Sequence, residues 1–113
     1  MDAAEAKNRF CFKVKIYLND FEDNKTDEYL EMREPNMKEI SLLTEDEDNN
    51  KKVLMDLLPA CIVDSSFTKA DGTSLKGKEA FEIINSSASV TTQVLNDWLN
   101  ACPFTLRNQT KEN

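Results

Sequence analysis

The sequence predicts an α+β domain in which an N-terminal β-hairpin packs against three to four short α-helices. Residues 10–18 alternate apolar and polar side chains, which is the period of a half-buried strand. In several segments between residues 36 and 101, apolar side chains recur at intervals of three and four, the period of amphipathic helices. A chain of 113 residues, 40% of them apolar, is long enough for one domain with its own core.

The hairpin is predicted from two alternating segments separated by turn formers. Apolar residues at every second position of the first segment are expected to face the core: Phe10, Phe12, Val14, Ile16 and Leu18. Residues 19–26 are dense in turn formers, and residues 27–33 form a second strand with Leu30 and Met32 inward. Because a lone hairpin is only marginally stable, its apolar face must be covered by the helices.

Two helix starts follow the hairpin. Pro35 ends the second strand, and Asn36 is expected to cap a short helix with Glu39 reaching back to it. A second start is the Thr-x-x-Glu sequence at residues 44–47, followed by an amphipathic stripe that continues to Ile62. Pro59 lies inside that stripe and predicts a break or kink near residue 58.

The remaining segments are predicted by turn signals and apolar spacing. They are a loop at 65–76 with an Asp-Gly turn, a helix at 77–85, a break at 86–89, and a last helix at 90–101 ended by Pro103. Residues 10–103 are therefore expected to form the single α+β domain. Residues 1–9 are expected to be a flexible N-terminus, and residues 104–113 a disordered tail.

Charge and composition narrow the expected function. The net charge is −7, and the whole acidic excess falls within the first 50 residues. An acidic surface repels phosphate, so nucleic acid and anionic membranes are not expected partners. No long apolar run and no leader sequence is visible, which favours a cytoplasmic protein. Three cysteines without CxxC spacing lie in apolar runs, the setting of buried, reduced thiols: Cys11, Cys61 and Cys102.

No catalytic constellation is visible, so we expect neither an enzyme nor a cofactor. The chain has no histidine, which removes the commonest general base and the commonest metal ligand. The acidic runs at 20–27 and 45–48 lack the glycine of a calcium loop. We interpret them as a solvated turn and a capped helix start, and we expect no metal site.

Trp98 has two interpretations. A single tryptophan on an amphipathic C-terminal helix is usually a core anchor, but tryptophan is also enriched among interface hot spots. If the last helix has apolar residues to spare, the candidate partner-binding residues are Val94, Trp98, Leu99 and Phe104.

The central stretch resembles bacteriophage (or prophage) tail assembly chaperones. The residues that carry the resemblance are Arg33, Glu34, Pro35 and Asn36, then Ile40, Leu42 and Leu43. In that family an extended segment ends in an Arg-Glu-Pro corner that opens directly into short helices. The later run VLMDLLPACIVDSSF is similar in layout, so the resemblance covers residues 29–99.

The resemblance implies a small, acidic, cofactor-free protein of the bacterial host cytoplasm. Such a chaperone holds the tape-measure protein and helps to assemble the tail tube, and self-association is compatible with this role. The alternative is a small structural or adaptor subunit of a phage or bacterial assembly. An enzyme is a third and weaker hypothesis, because bases and metal ligands are missing.

Overall fold

A computed structural model describes residues 1–19 and 25–103 of the chain. Most of the turn predicted at residues 19–26, and the tail predicted at 104–113, lie outside the described residues. Among the described residues there are five helices, α1 (Ala3–Arg9), α2 (Met37–Ile40), α3 (Glu47–Cys61), α4 (Gly77–Ile84) and α5 (Ala88–Ala101). They also contain three strands, β1 (Lys13–Asn19), β2 (Lys25–Arg33) and β3 (Ile62–Ser65).

The three strands form one antiparallel sheet in the order β1-β2-β3, which confirms the α+β class and the N-terminal hairpin. In the central strand, Leu30 and Met32 are fully buried, as their alternation predicts. Ile16 and Leu18 of β1 are buried beside them. The helices α3, α4 and α5 contact one another or the sheet, so the core lies between one face of the sheet and these helices.

The first strand begins later than predicted, at Lys13, and Phe10 does not face the core. Phe10 is 78% exposed and ends α1, where its N–H donates to the Ala6 carbonyl at 2.9 Å. The apolar alternation therefore begins at residue 10, whereas hydrogen bonding to the neighbouring strand begins at residue 12. There the Phe12 carbonyl accepts from Glu34 N, the residue just after β2, at 3.2 Å.

The segment expected to be a flexible N-terminus contains a helix. Asp2 caps α1 by accepting from Glu5 N at 2.8 Å, and the helix buries no residue. Its one described side-chain link to the sheet is the Lys13 ammonium, which donates to Asn8 Oδ1 at 2.8 Å. Its order therefore rests on capping and the turn at Phe10 more than on apolar packing.

The start and end of α3 correct two predictions. Asp46 caps the helix and accepts from Asp48 N and Asn49 N, whereas Thr44 accepts from Asp46 N, so the predicted capping box does not form. Of the break or kink predicted near residue 58, the break does not occur, because the helix continues through Pro59 to Cys61. Because Pro59 lies in the last turn, its missing N–H and ring affect only the end of the hydrogen-bond ladder.

The third strand was not predicted, because Ile62 reads as the last apolar residue of the α3 stripe. The structure ends the helix one residue earlier and pairs Leu30 with Ser65 across β2 and β3. Beyond the strand, Ser66 N donates to the Tyr29 carbonyl at 3.0 Å, and Tyr29 N donates to Ser66 Oγ at 2.9 Å. A four-residue strand has too few positions to show a period, so pairing with β2 decides its conformation.

The later elements agree with their sequence signals. Gly72 adopts a positive φ of 90° in the predicted Asp-Gly turn, a conformation that favours glycine. Ser87 caps α5, and its hydroxyl accepts from Val90 N at 3.3 Å. The helix ends at Ala101, two residues before Pro103.

The structure resolves the two interpretations of Trp98 in favour of the core. Trp98 and Val94 are 0% exposed, and both belong to the single buried cluster under the sheet. Less apolar surface of α5 is available to a partner than the sequence suggests, because β1 packs along this helix and is covered by these residues.

We expect Trp98→Ala to lower the free energy of unfolding by ~3–5 kcal/mol, because it leaves a large cavity in the core. Leu42→Ala is the matched control, since Leu42 is 55% exposed and should change stability by less than ~0.5 kcal/mol. Urea denaturation followed by circular dichroism measures both. A loss below ~1 kcal/mol for Trp98→Ala would contradict its placement in the core.

Candidate functional site

The candidate site is built around the corner, by which we mean the four residues Arg33, Glu34, Pro35 and Asn36. Pro35 is buried and lies two residues beyond the end of β2, where it cannot donate a backbone hydrogen bond to continue the sheet. Asn36 has an extended conformation with φ −82° and ψ 174°, and α2 begins at the next residue. The chain therefore changes from strand to helix across the three residues 34–36.

A capping box holds the corner to α2, as the sequence predicts. The Asn36 side chain accepts from Glu39 N at 2.8 Å, and the Glu39 carboxylate accepts from Asn36 N at 2.8 Å. These two bonds satisfy donors that an isolated four-residue helix would leave to water.

The same Glu39 carboxylate also holds Arg33, a contact that the sequence analysis missed. Arg33 Nη1 donates to Glu39 Oε1 at 2.9 Å, and Nη2 donates to Oε2 at 3.0 Å. This two-bond geometry is the strong form of a carboxylate–guanidinium pair. The hydrogen bond from Arg33 lowers the pKa of Glu39, and the same bond raises the pKa of Arg33. Both partners are therefore held in their charged forms.

The back of the corner is tied to the last helix. The indole Nε1 of Trp98 donates to the Arg33 carbonyl at 2.9 Å. Arg33 Nη1 also donates to the Glu34 carbonyl at 3.0 Å, so the guanidinium and the backbone of the corner are linked to each other. The position of the corner is thus set by α2, by β2 and by α5 together.

An open cleft of about 450 Å³ lies between the corner and the end of α1. Its lining residues are Lys7, Phe10, Cys11, Phe12, Arg33, Glu34, Pro35 and Asn36. Phe10 presents most of its ring to solvent, whereas Phe12 is half-buried against the core. The cleft therefore combines aromatic surface with charged groups of both signs.

The three thiols differ in their surroundings. Burial raises the pKa of Cys61 to about 12 and that of Cys102 to about 11. Both are buried, as predicted, and their thiolates are strongly disfavoured at neutral pH. Cys11 is half-buried and lines the cleft, where its thiol lies 3.8 Å from the Phe12 carbonyl oxygen.

The four residues predicted to bind a partner are not brought together on a surface. Val94 and Trp98 lie in the core, Leu99 is half-buried against it, and Phe104 lies outside the described residues. Phe10, which is 78% exposed, lines the cleft at the corner instead, and it is more exposed than Tyr17, at 40%. A signal for it was present, because Asp2 followed by a helix-forming run predicts a capped helix that removes residue 10 from the strand.

Residues 1–19 and 25–103 lack a metal-binding cluster and a helix that could cross a membrane. No group of three or more Cys, Asp or Glu side chains there is arranged to hold a metal ion. Within the same residues, no helix has the length and apolar character needed to cross a membrane. Of the two acidic runs, 45–48 provides the cap of α3, and most of 20–27 falls outside the described residues.

Comparisons of the chain with models of known protein families, with curated proteins and with solved structures give no match.

We expect the pair of Arg33 and Glu39 to make stability depend on acid pH. The folded pKa of Glu39 lies below its ordinary value of 4.5, so the stabilisation is present above that value. It is lost as the pH falls through the lowered, folded pKa. In Glu39→Gln, the slope of unfolding free energy against pH should be shallower between about pH 5 and pH 3.

The matched control is Glu79→Gln. Glu79 lies 3.7 Å from Lys69 in an exposed ion pair, and such pairs contribute little to stability. Chemical denaturation at several pH values measures both variants. Equal slopes for wild type and Glu39→Gln would contradict the stabilising role of this carboxylate.

We also expect one fast-reacting thiol in the folded chain. At pH 8 a thiol-specific disulfide reagent should modify Cys11, whereas Cys61 and Cys102 should react only after unfolding in denaturant, because burial keeps them protonated. Colorimetric counting and mass spectrometry identify the modified residues. Rapid modification of either buried thiol under native conditions would disprove this assignment.

Proposed function

We propose that this chain is a non-enzymatic protein-binding module and that the cleft at the corner is its contact surface. The observation that carries the proposal is Phe10, which is 78% exposed and lines a cleft together with Phe12 and Pro35. A large aromatic side chain left in water beside a partly aromatic cleft is typical of a surface that a protein partner covers.

The rigidity of the corner supports this proposal. Its backbone is held by the capping box, by the paired Arg33 and Glu39, and by the indole of Trp98. A surface that is already ordered loses little conformational entropy when a partner binds, so more of the contact energy appears as affinity.

We propose more specifically that the module acts as a tail assembly chaperone in the cytoplasm of a bacterial host. The four corner residues that carry the resemblance to that family are also residues that line the cleft. Its client is an amphipathic helical segment of a tape-measure protein, which inserts one large apolar side chain beside Phe10 while the tail tube assembles around it. A cleft of about 450 Å³ has the size to accept such an anchor.

A second candidate is a structural or adaptor subunit that remains in the finished particle. Met37 is 81% exposed, and the partly exposed Leu42 follows the same short helix. A permanent interface, including self-association, would cover these side chains. Mass spectrometry of purified particles separates the two roles, because an assembly chaperone is absent from the finished particle and a subunit is present.

We expect Phe10→Ala to weaken binding to a tape-measure protein encoded in the same genome by ~2 kcal/mol or more, as for a hot-spot aromatic. Because Phe10 is exposed, the variant should keep its thermal stability. Calorimetric titration and thermal denaturation measure the two quantities on one preparation.

Ile83→Ala is the matched control, since Ile83 is an exposed apolar residue on α4 that does not line the cleft. It should leave both affinity and stability unchanged. If the wild-type chain fails to bind a tape-measure protein, the chaperone role is wrong. If it binds and Phe10→Ala binds equally well, the cleft is not the contact surface.

A further inference from the structure

The outer edge of β1 has backbone groups that the sheet does not use. The strand is paired on one side only, since the order of the sheet is β1-β2-β3. In the β1–β2 register, Phe12 lies opposite Glu34 and accepts from its N–H, so Val14 and Ile16 are the next residues bonded to β2. The N–H and C=O groups of Lys13, Lys15 and Tyr17 therefore point away from β2.

A side chain of α5 closes one end of this edge. Gln93 Nε2 donates to the Tyr17 carbonyl at 3.1 Å, and its Oε1 accepts from Asn19 N at 3.1 Å. These bonds also confirm that the Tyr17 carbonyl faces outward. Toward the other end, no residue within 1–19 or 25–103 bonds to the outward backbone groups of Lys13 and Lys15.

A groove lies along the open part of this edge. It has a volume of about 310 Å³, with residues 14–17 of β1 on one side and Asp97, Asn100 and Ala101 of α5 on the other. The groove leaves space beside the strand for an extended chain. Its helix side includes a carboxylate, that of Asp97, so an acidic side chain is disfavoured there.

We propose that this edge binds an extended segment of another protein, with acidic side chains at every second position, as a fourth strand of the sheet. The backbone groups of Lys13 and Lys15 would form the new ladder, which is the mode of strand addition. Both lysines are exposed on the open face of the sheet, where Lys15 Nζ lies 4.6 Å from the centre of the Tyr29 ring. Residues opposite the two lysines are favoured when acidic.

The charge of the edge also disfavours antiparallel pairing with a second copy of this chain. We consider two β1 strands paired antiparallel, with Gln93 still bonded to Tyr17 and Asn19. In each such pairing, a lysine of one copy lies directly opposite a lysine of the other. Like charges directly opposite are destabilising. The net charge of −7 affects either occupant less than the two contacting lysines do, because charges are screened beyond ~8 Å at physiological ionic strength.

This inference goes beyond the proposed function, because the edge and the corner cleft are different surfaces and neither needs the other. The probe is a nine-residue peptide that alternates glutamate and threonine, with threonine chosen for the groove side. We expect it to slow hydrogen exchange at the Lys13 and Lys15 amides at least tenfold at saturation, measured by NMR. The Val14 and Ile16 amides already bond to β2 and should not change.

Two peptides and two variants serve as controls. A peptide of the same composition in two blocks, and one that alternates lysine and threonine, should bind at least tenfold more weakly. Lys13→Glu/Lys15→Glu should lose affinity for the glutamate peptide about tenfold or more. Lys51→Glu/Lys52→Glu makes the same charge change on the exposed side of α3 and should retain affinity within about threefold.

Any of four results would overturn the proposal. The first is that the glutamate peptide does not bind at millimolar concentration. The second is that the block peptide binds equally well. The third is that the two double variants lose equal affinity, which would indicate a general charge effect. The fourth is that the Lys13 and Lys15 amides exchange slowly in the free protein, which would mean that residues 104–113 or a second copy already occupy the edge.

Discussion

The hydrogen bond from the indole of Trp98 to the carbonyl of Arg33 joins groups 65 residues apart and ties the last helix to the end of the central strand. Trp98 has no exposed surface, so its one N–H needs a partner inside the protein. The Arg33 carbonyl faces away from β1 and is free to accept. The interaction therefore satisfies the buried indole N–H and the Arg33 carbonyl, and it sets where β2 ends relative to α5.

The corner depends on that anchoring. Glu39 accepts from the Arg33 guanidinium and from Asn36 N, so one carboxylate joins the end of the strand to the start of α2. A helix of four residues has little stability of its own. Here it is held by charged and polar contacts at its first turn, while its Met37 and the following Leu42 stay exposed. The short helix thus serves to hold the corner in place, and it adds little to the core.

The two surfaces proposed to bind partners have opposite physical characters. The cleft beside the corner is partly aromatic and lies next to rigid backbone, which suits an inserted side chain. The edge of β1 offers unpaired backbone groups flanked by lysines, which suits an extended chain. Exposed lysines also discourage indiscriminate edge pairing in natural sheets. Gln93 adds to this protection at Tyr17, so only a short part of the edge is open.

Short-range features of this protein were determined by the sequence alone. The capping box of Asn36 and Glu39 spans four residues, and the burial of Leu30 and Met32 follows from a period of two. Such features depend on neighbours along the chain, which a sequence shows directly.

Only the tertiary structure decided the rest. Phe10 continues the alternation of β1 but lies in water, because α1 ends there and pairing begins at residue 12. Ile62 fits a helical stripe but starts β3, because β2 has an edge to pair with. Trp98 and Gln93 sit on one helix, yet one lies in the core and the other caps a strand edge. These outcomes depend on contacts between residues distant in sequence, and the local pattern is the same whichever partner is present.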